Sequence, residues 1–247
     1  MKFYKALDSV KLKKYSEVNK NQFAITFYSK SEFKSSELFD KELKKKVSNF
    51  FVDEKRSSLF LSKELTGLKG DFLVLRDFSK NKSEYKKYSW MKGLFANLDK
   101  YAVENAVIYA DTSHLSKDDN FLFDLAKTAE KISYRYTDTN PNTKKELILK
   151  NVSLAVENAN AAQKRVVELG YNVGSGANTA RNLGDRPANH ATPAYIAKAV
   201  KGLAKDIGGF SVEILEEKDM KKLGMGCLLS VSRGSIEPAK LVTMQYK

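Results

Sequence analysis

Short apolar runs of strand length alternate with helix-period segments through the first 155 residues, the pattern of an α/β layer domain on a largely parallel sheet. The strand-like runs are Gln22–Tyr28, Ser58–Leu61, Phe72–Leu75, Ala106–Ala110 and Glu146–Val152. Between them, Leu38, Phe39, Leu43, Val47, Phe50 and Phe51 mark one helical stripe, and Met91, Leu94, Phe95, Leu98 and Tyr101 a second. A third runs through Phe121, Leu122, Leu125 and Ile132. Nothing polar breaks these stripes in a way that suggests a site, so they are expected to pack the core.

The texture changes near Val156. From Asn158 to Ala180 there is no proline, acidic residues almost vanish and small residues dominate. Val166, Gly170, Val173, Ala177, Ala180 and Gly184 fall on one helical face, and two glycines on such a stripe suggest a neighbour packed close to the backbone. The turn-rich stretch Leu183–Pro193 follows, with Thr192 placed to cap a helix whose first residue is Pro193. That helix is expected to bury Ile196, Val200, Leu203 and Ile207 and to close at Gly208-Gly209. Beyond it, Phe210–Leu215 reads as a strand, Lys218–Leu223 as a short helix, and Leu228–Ser232 and Leu241–Tyr246 as two further strands. A sheet ending there has an open edge and an uncovered face, so the chain is expected to be truncated relative to its natural fold.

Charge adds one question to this picture. The net charge of +13 is concentrated at the front: residues 1–100 hold 23 Lys and Arg against 13 Asp and Glu. Such an excess attracts phosphate backbones and acidic surfaces, though lysines dispersed among Ser, Asn and Glu also make an ordinary solubilising surface. No apolar run approaches a membrane span, and the basic N-terminus is not followed by the apolar stretch of a signal peptide, so a cytoplasmic protein without a membrane partner is expected. A single cysteine, Cys227, excludes an intrachain disulfide and a cysteine zinc cluster, and its apolar neighbours suggest a buried, inert thiol.

Candidate chemistry is sparse. His114 and His190 are the two histidines, and neither has a ligand partner at helical spacing. His114 follows Asp111-Thr112-Ser113, residues too close in sequence to converge as a triad, and His190 lies in a turn where a backbone hydrogen bond is the expected role. Gly174-Ser175-Gly176-Ala177-Asn178-Thr179 fails as a nucleotide loop because Thr179 stands where glycine is required and no strand immediately precedes it. The acid pairs Asp53-Glu54, Asp118-Asp119 and Glu216-Glu217 sit near helix starts, where negative charge suits the dipole.

The run Ala180-Arg181-Asn182-Leu183-Gly184-Asp185-Arg186-Pro187-Ala188-Asn189-His190-Ala191-Thr192-Pro193-Ala194-Tyr195-Ile196-Ala197 resembles the entry to the catalytic domain of the leucyl (cytosol) aminopeptidases. Those enzymes typically read A-R-[DN]-L-x-N-x-P-[PA]-N and then T-P-x-Y-[LI]-A. The stretches Val212–Leu215, Met220–Gly226, Leu229–Ser235, Glu237-Pro238 and Leu241–Lys247 agree in order and spacing, and Asp185-Arg186 is the departure. The resemblance implies a macrodomain-like N-terminal α/β domain with a mixed, mostly parallel sheet flanked by helices (1–155), a long connecting helix (156–184) and an incomplete start of an α/β peptidase catalytic domain (185–247). It implies removal of N-terminal amino acids from peptides, a homo-oligomer (a hexamer) and two divalent metal ions, manganese or zinc. The family's metal motifs V-G-K-G-x-T-[FY]-D-[ST]-G-G and N-T-D-A-E-G-R are absent from the 247 residues. No catalytic, metal or substrate-binding residue is therefore carried onto a numbered position, and no metal is expected on this chain. The alternative is a non-catalytic basic module binding nucleic acid or an acidic partner through residues 1–100.

Overall fold

Val152 through Val156 are all buried, as a strand paired on both sides and covered on both faces must be. Val10 and Leu12 are buried while Lys11 between them is exposed, as expected of a strand with one face on the core. The two pair in parallel, Ser9 opposite Asn151 and Lys14 opposite Val156. The structure is a computed structural model that describes residues 6–14, 17, 23–28, 41–47, 58–62, 72–76, 83–109, 119–139, 148–156 and 158–246.

In chain order the first strands and helices are β1 (Ser9–Lys14), β2 (Phe23–Tyr28), α1 (Lys41–Val47), β3 (Ser58–Leu61), β4 (Phe72–Arg76) and α2 (Glu84–Lys100). They are followed by β5 (Asn105–Tyr109), α3 (Asp119–Ser133), β6 (Asn151–Val156) and α4 (Ala161–Gly184). One six-stranded sheet runs β1-β6-β5-β2-β4-β3, parallel throughout except for β3, which pairs antiparallel to β4 at the edge. The mostly parallel α/β sheet expected from the alternating pattern is therefore present.

Met91, Leu94, Phe95 and Leu98 of α2 and Phe121, Leu122 and Leu125 of α3 are buried in one core with Val10, Leu12, Ile108 and Leu154. Tyr101 and Ile132 pack against it, so the second and third stripes face the core as their spacing requires. Of the first stripe, Leu38, Phe39, Phe50 and Phe51 lie outside the described residues, as do Gln22, Glu146, Leu147 and Asp53-Glu54.

The structure revises three of these readings. β1 is a strand that the lysine-rich start of the chain concealed. The run expected over Glu146–Val152 enters the sheet later, at Asn151, while Ile148 is exposed. On α4 the buried face is not Val166-Gly170-Val173-Ala177-Ala180-Gly184 but Gln163, Val167, Gly170, Tyr171, Gly174, Ser175, Asn178, Thr179 and Asn182. Apolar content misled here, because much of the buried face is polar, Gln163, Ser175, Asn178, Thr179 and Asn182 among it. A Cβ on Gly170 would stand 2.4 Å from the carbonyl oxygen of Phe123, and one on Gly174 would stand 2.8 Å from that of Lys127. The close neighbour inferred from the glycines is thus α3, met through Gly170 and Gly174, whereas Gly184 has nothing within 4 Å.

The described residues gather into two compact units. The first includes Lys5–Arg135 and Lys145–Ser175, the second Tyr136–Lys144 and Gly176–Lys247, and the division falls inside α4. The second unit continues with α5 (Pro193–Ile207), β7 (Phe210–Glu216), α6 (Glu217–Lys222), α7 (Gly226–Ser232) and β8 (Lys240–Tyr246). Thr192 caps α5 by accepting the Tyr195 N–H at 3.2 Å, and Gly208, at φ 73°, takes the left-handed turn that ends it. Ala197, Ala199 and Leu203 are its buried residues; Ile207, expected inside, is exposed. β7 and β8 form an antiparallel pair from Phe210 opposite Tyr246 to Glu216 opposite Lys240. Leu228–Ser232, expected as a strand, is helical: the Leu229 N–H reaches the Met225 carbonyl at 3.2 Å, and the Ser230 and Ser232 hydroxyls bond carbonyls three residues back. Five residues with three apolar side chains cannot be assigned by period alone.

Candidate functional site

The segment richest in motif residues, Leu183–Pro193, is held from within. The Asp185 N–H extends the helix pattern onto the Arg181 carbonyl at 2.7 Å, and the Pro187 carbonyl accepts from His190 and Ala191 at 2.8 and 2.9 Å. Arg186 ties this turn down. Its guanidinium pairs with the Asp138 carboxylate, reaches Asn182 Oδ1 at 3.4 Å and stacks 5.0 Å above the Tyr195 ring. A cation over an aromatic face contributes roughly 0.5–2 kcal/mol depending on desolvation. The Asp185-Arg186 departure therefore carries a structural contact that joins the turn to residues 136–139.

Beyond the turn, acidic residues organise the two-stranded sheet rather than a reaction centre. The Asp219 carboxylate accepts the Glu216 N–H at 3.1 Å at the start of α6, the Glu216 carboxylate pairs with Lys240, and Glu217 Oε1 accepts the Ala239 N–H at 3.0 Å. This is the capping role expected of the Glu216-Glu217 pair. His190 is exposed, with its backbone N–H on Pro187. His114 and Asp111-Thr112-Ser113 lie outside the described residues, as does Asp118. Gly174–Thr179 lies inside α4, with no loop to cradle a phosphate. Cys227, expected to be buried, is exposed, because it starts a short helix with no buried residue.

Among the described residues no group of three or more His, Cys, Asp or Glu could hold a metal ion. No described helix is long and apolar enough to cross a membrane.

The first unit carries two features that the sequence did not disclose. The Glu130 carboxylate is fully buried and accepts the N–H groups of Ala6 and Leu7 at 2.6 and 2.9 Å, while the Tyr171 hydroxyl donates to the Leu7 carbonyl at 2.7 Å. Burial first, then the negative charges of Glu130 and Asp8, push the Tyr171 phenol up to about 12. Beside this clamp a groove of about 430 Å³ lies between β1 and α4, lined by Asp8–Leu12 on one side and by Lys164, Val167, Glu168, Tyr171 and Asn172 on the other. No motif marks it. Its only signal in sequence is the alternation Ser9-Val10-Lys11-Leu12-Lys13, hidden among lysines.

Residues 178–247 match the model of the cytosol aminopeptidase family, catalytic domain. In sequence the chain is similar to a protein named "Probable cytosol aminopeptidase" from Nitrosococcus oceani, 38% identical over 126 residues, which is 50% of this chain and 25% of that one. A second of that name, from Saccharophagus degradans, is 34% identical over 162 residues, 62% of this chain and 32% of that one. In fold it is similar to a tomato leucine aminopeptidase mutant, with a TM-score of 0.70 and 18% identity over 97% of this chain and 50% of that one. A leucyl aminopeptidase from Leishmania major, solved with actinonin, gives a TM-score of 0.66 and 17% identity over 98% of this chain and 47% of that one. The chain spans about half the length of these solved structures, and its matched stretch spans a quarter to a third of these curated relatives.

Proposed function

We propose that this chain, which belongs with the leucyl (cytosol) aminopeptidase family, is the front half of a cytoplasmic metalloaminopeptidase that removes N-terminal amino acids from peptides. The observation that carries this reading is the match of residues 178–247 to the family's catalytic domain. The described side chains offer no metal centre, and the two family metal motifs do not occur in the sequence. In this reading the manganese or zinc ions belong to the family's V-G-K-G and N-T-D-A-E-G-R motifs, and this chain contributes scaffold: the α/β domain, α4, and the first elements of the peptidase domain. Assembly into a hexamer belongs to the intact enzyme.

Two experiments test this. The coding sequence beyond Lys247 should continue in frame into a V-G-K-G motif; a stop codon directly after Lys247 would favour the non-catalytic basic module instead. The purified 247-residue chain, incubated with leucine p-nitroanilide and manganese or zinc, should release no p-nitroaniline above a mock purification. Metal-dependent hydrolysis that co-purifies with the chain would overturn the assignment of the site to a missing segment.

A further inference from the structure

We propose that the outer edge of β1 and the adjoining face of α4 form a docking groove for an extended peptide segment in which apolar and acidic residues alternate. The inference is independent of the aminopeptidase reading. Among the described residues β1 stands at one end of the strand order, with β6 on its paired side. A strand paired on one side directs alternate N–H and C=O groups outward, a template for one more strand. At its far end the Glu17 carboxylate takes the Lys14 N–H at 3.1 Å, so the edge on offer runs from Asp8 to Lys13. Six residues at about 3.3 Å each make roughly 20 Å, the length of an ordinary strand.

The walls set the side-chain pattern of the occupant. Lys164, Val167, Glu168, Tyr171 and Asn172 are spaced as one face of α4; Val167 and Tyr171 form with Val10 and Leu12 an apolar, largely covered floor, each 1–7% exposed, below the exposed Lys164, Glu168 and Asn172. The Tyr171 hydroxyl is committed to the Leu7 carbonyl. An added strand alternates its side chains between the two faces of the sheet. On the face of Val10 and Leu12 it meets that floor; on the other face it runs beside Lys11 and Lys13. The first set of positions calls for apolar residues and the second for carboxylates.

Charge also decides against another copy of this chain as the occupant. Lys11 and Lys164 are offset by Asp8 and Glu168 around the groove and Lys14 by Glu17 at its end, so Lys13 leaves the edge net basic. Pairing β1 with a second β1 would set lysines against lysines, which is destabilising for cross-strand neighbours, whereas an acidic segment is complementary.

The test uses the full 247-residue chain and a fluorescein-labelled peptide, acetyl-Val-Glu-Val-Glu-Val-Glu-amide, followed by fluorescence anisotropy. It should bind, weaken as sodium chloride is raised, and exceed the matching Val-Lys peptide at least tenfold. Lys11→Glu with Lys13→Glu should invert that preference. Peptides N-methylated at alternate residues give a readout that surface charge alone would not: one set should lose binding at least tenfold while the other retains it, because alternate amides point the same way. No binding at low salt, equal binding of the two charge patterns, or equal behaviour of the two N-methylated sets would each overturn the proposal. So would a concentration-dependent dimer that the Val-Glu peptide dissociates no better than the Val-Lys peptide. If the double lysine variant does not fold, the peptide series decides alone.

Discussion

Glu130 and Tyr171 hold the start of β1 from two sides, the carboxylate on the Ala6 and Leu7 N–H groups and the phenol on the Leu7 carbonyl. The raised Tyr171 pKa makes this clamp pH-dependent. The group is neutral in both states below its ordinary value of 10.0, so its contribution is complete there. Between pH 10.0 and about 12 the unfolded chain ionises while the folded one does not, and stability falls by up to about 1.4 kcal/mol per pH unit. Tyr171→Phe should cost roughly 1 kcal/mol at neutral pH, from the lost hydroxyl bond, yet escape the alkaline decline. Urea unfolding of both proteins at pH 8, 10 and 11 checks this; parallel curves would contradict it. Glycine at residue 170 makes a second contrast. The Cβ of Gly170→Ala would meet a backbone oxygen at 2.4 Å, so α3 and α4 must separate, and a loss of about 1–3 kcal/mol is expected. Gly93→Ala, in the interior of α2 with nothing within 4 Å, should instead gain about 0.5–1 kcal/mol. Equal urea midpoints for the two variants would show that the close approach is not tight.

At the level of elements, the second unit leaves much apolar surface in water: Val231 is 85% exposed, Ile236 100% and Tyr246 75%. Burial is worth about 25 cal/mol per Å², so α7, which has no buried residue, and the exposed last four residues of β8 gain little from it. Their amides should exchange with deuterium faster than those of β5 and β6, and limited proteolysis should cut first between Gly208 and Lys247. Protection of β8 equal to that of β6 would show that this surface is covered in solution. What could be read from the sequence follows the same physics. Met91-Leu94-Phe95-Leu98 and the Thr192-Pro193 start gave their helices because one face or one cap dominates the local energy. β1 did not show itself, since three of its six residues are lysine and only Val10 and Leu12 reach the core. α7 was misread because its short apolar run has no period to distinguish helix from strand. The Arg186 contact with Asp138 could not be read at all, because it joins residues 48 positions apart and no local pattern announces it.

For the molecule as a whole, charge and topology pull on the same end of the chain. The excess of 23 basic over 13 acidic residues in residues 1–100 should give weak duplex DNA binding that falls steeply with salt. A filter-binding titration at low salt checks it; undetectable binding, or binding equal to that of a chain beginning at Val156, would remove the basic-surface idea. Topology has its own consequence. Ser9 pairs with Asn151 across 142 residues, so of the six described strands of this sheet the earliest made is joined to the latest made. At roughly 5–20 residues per second, β1 waits about 7–28 s for its partner to be made. During that wait β2, β3, β4 and β5 can already assemble, and β6 joins β5 only once it has been made. Birth order and folding order are therefore opposed among these six strands: the earliest made is the last to find its place.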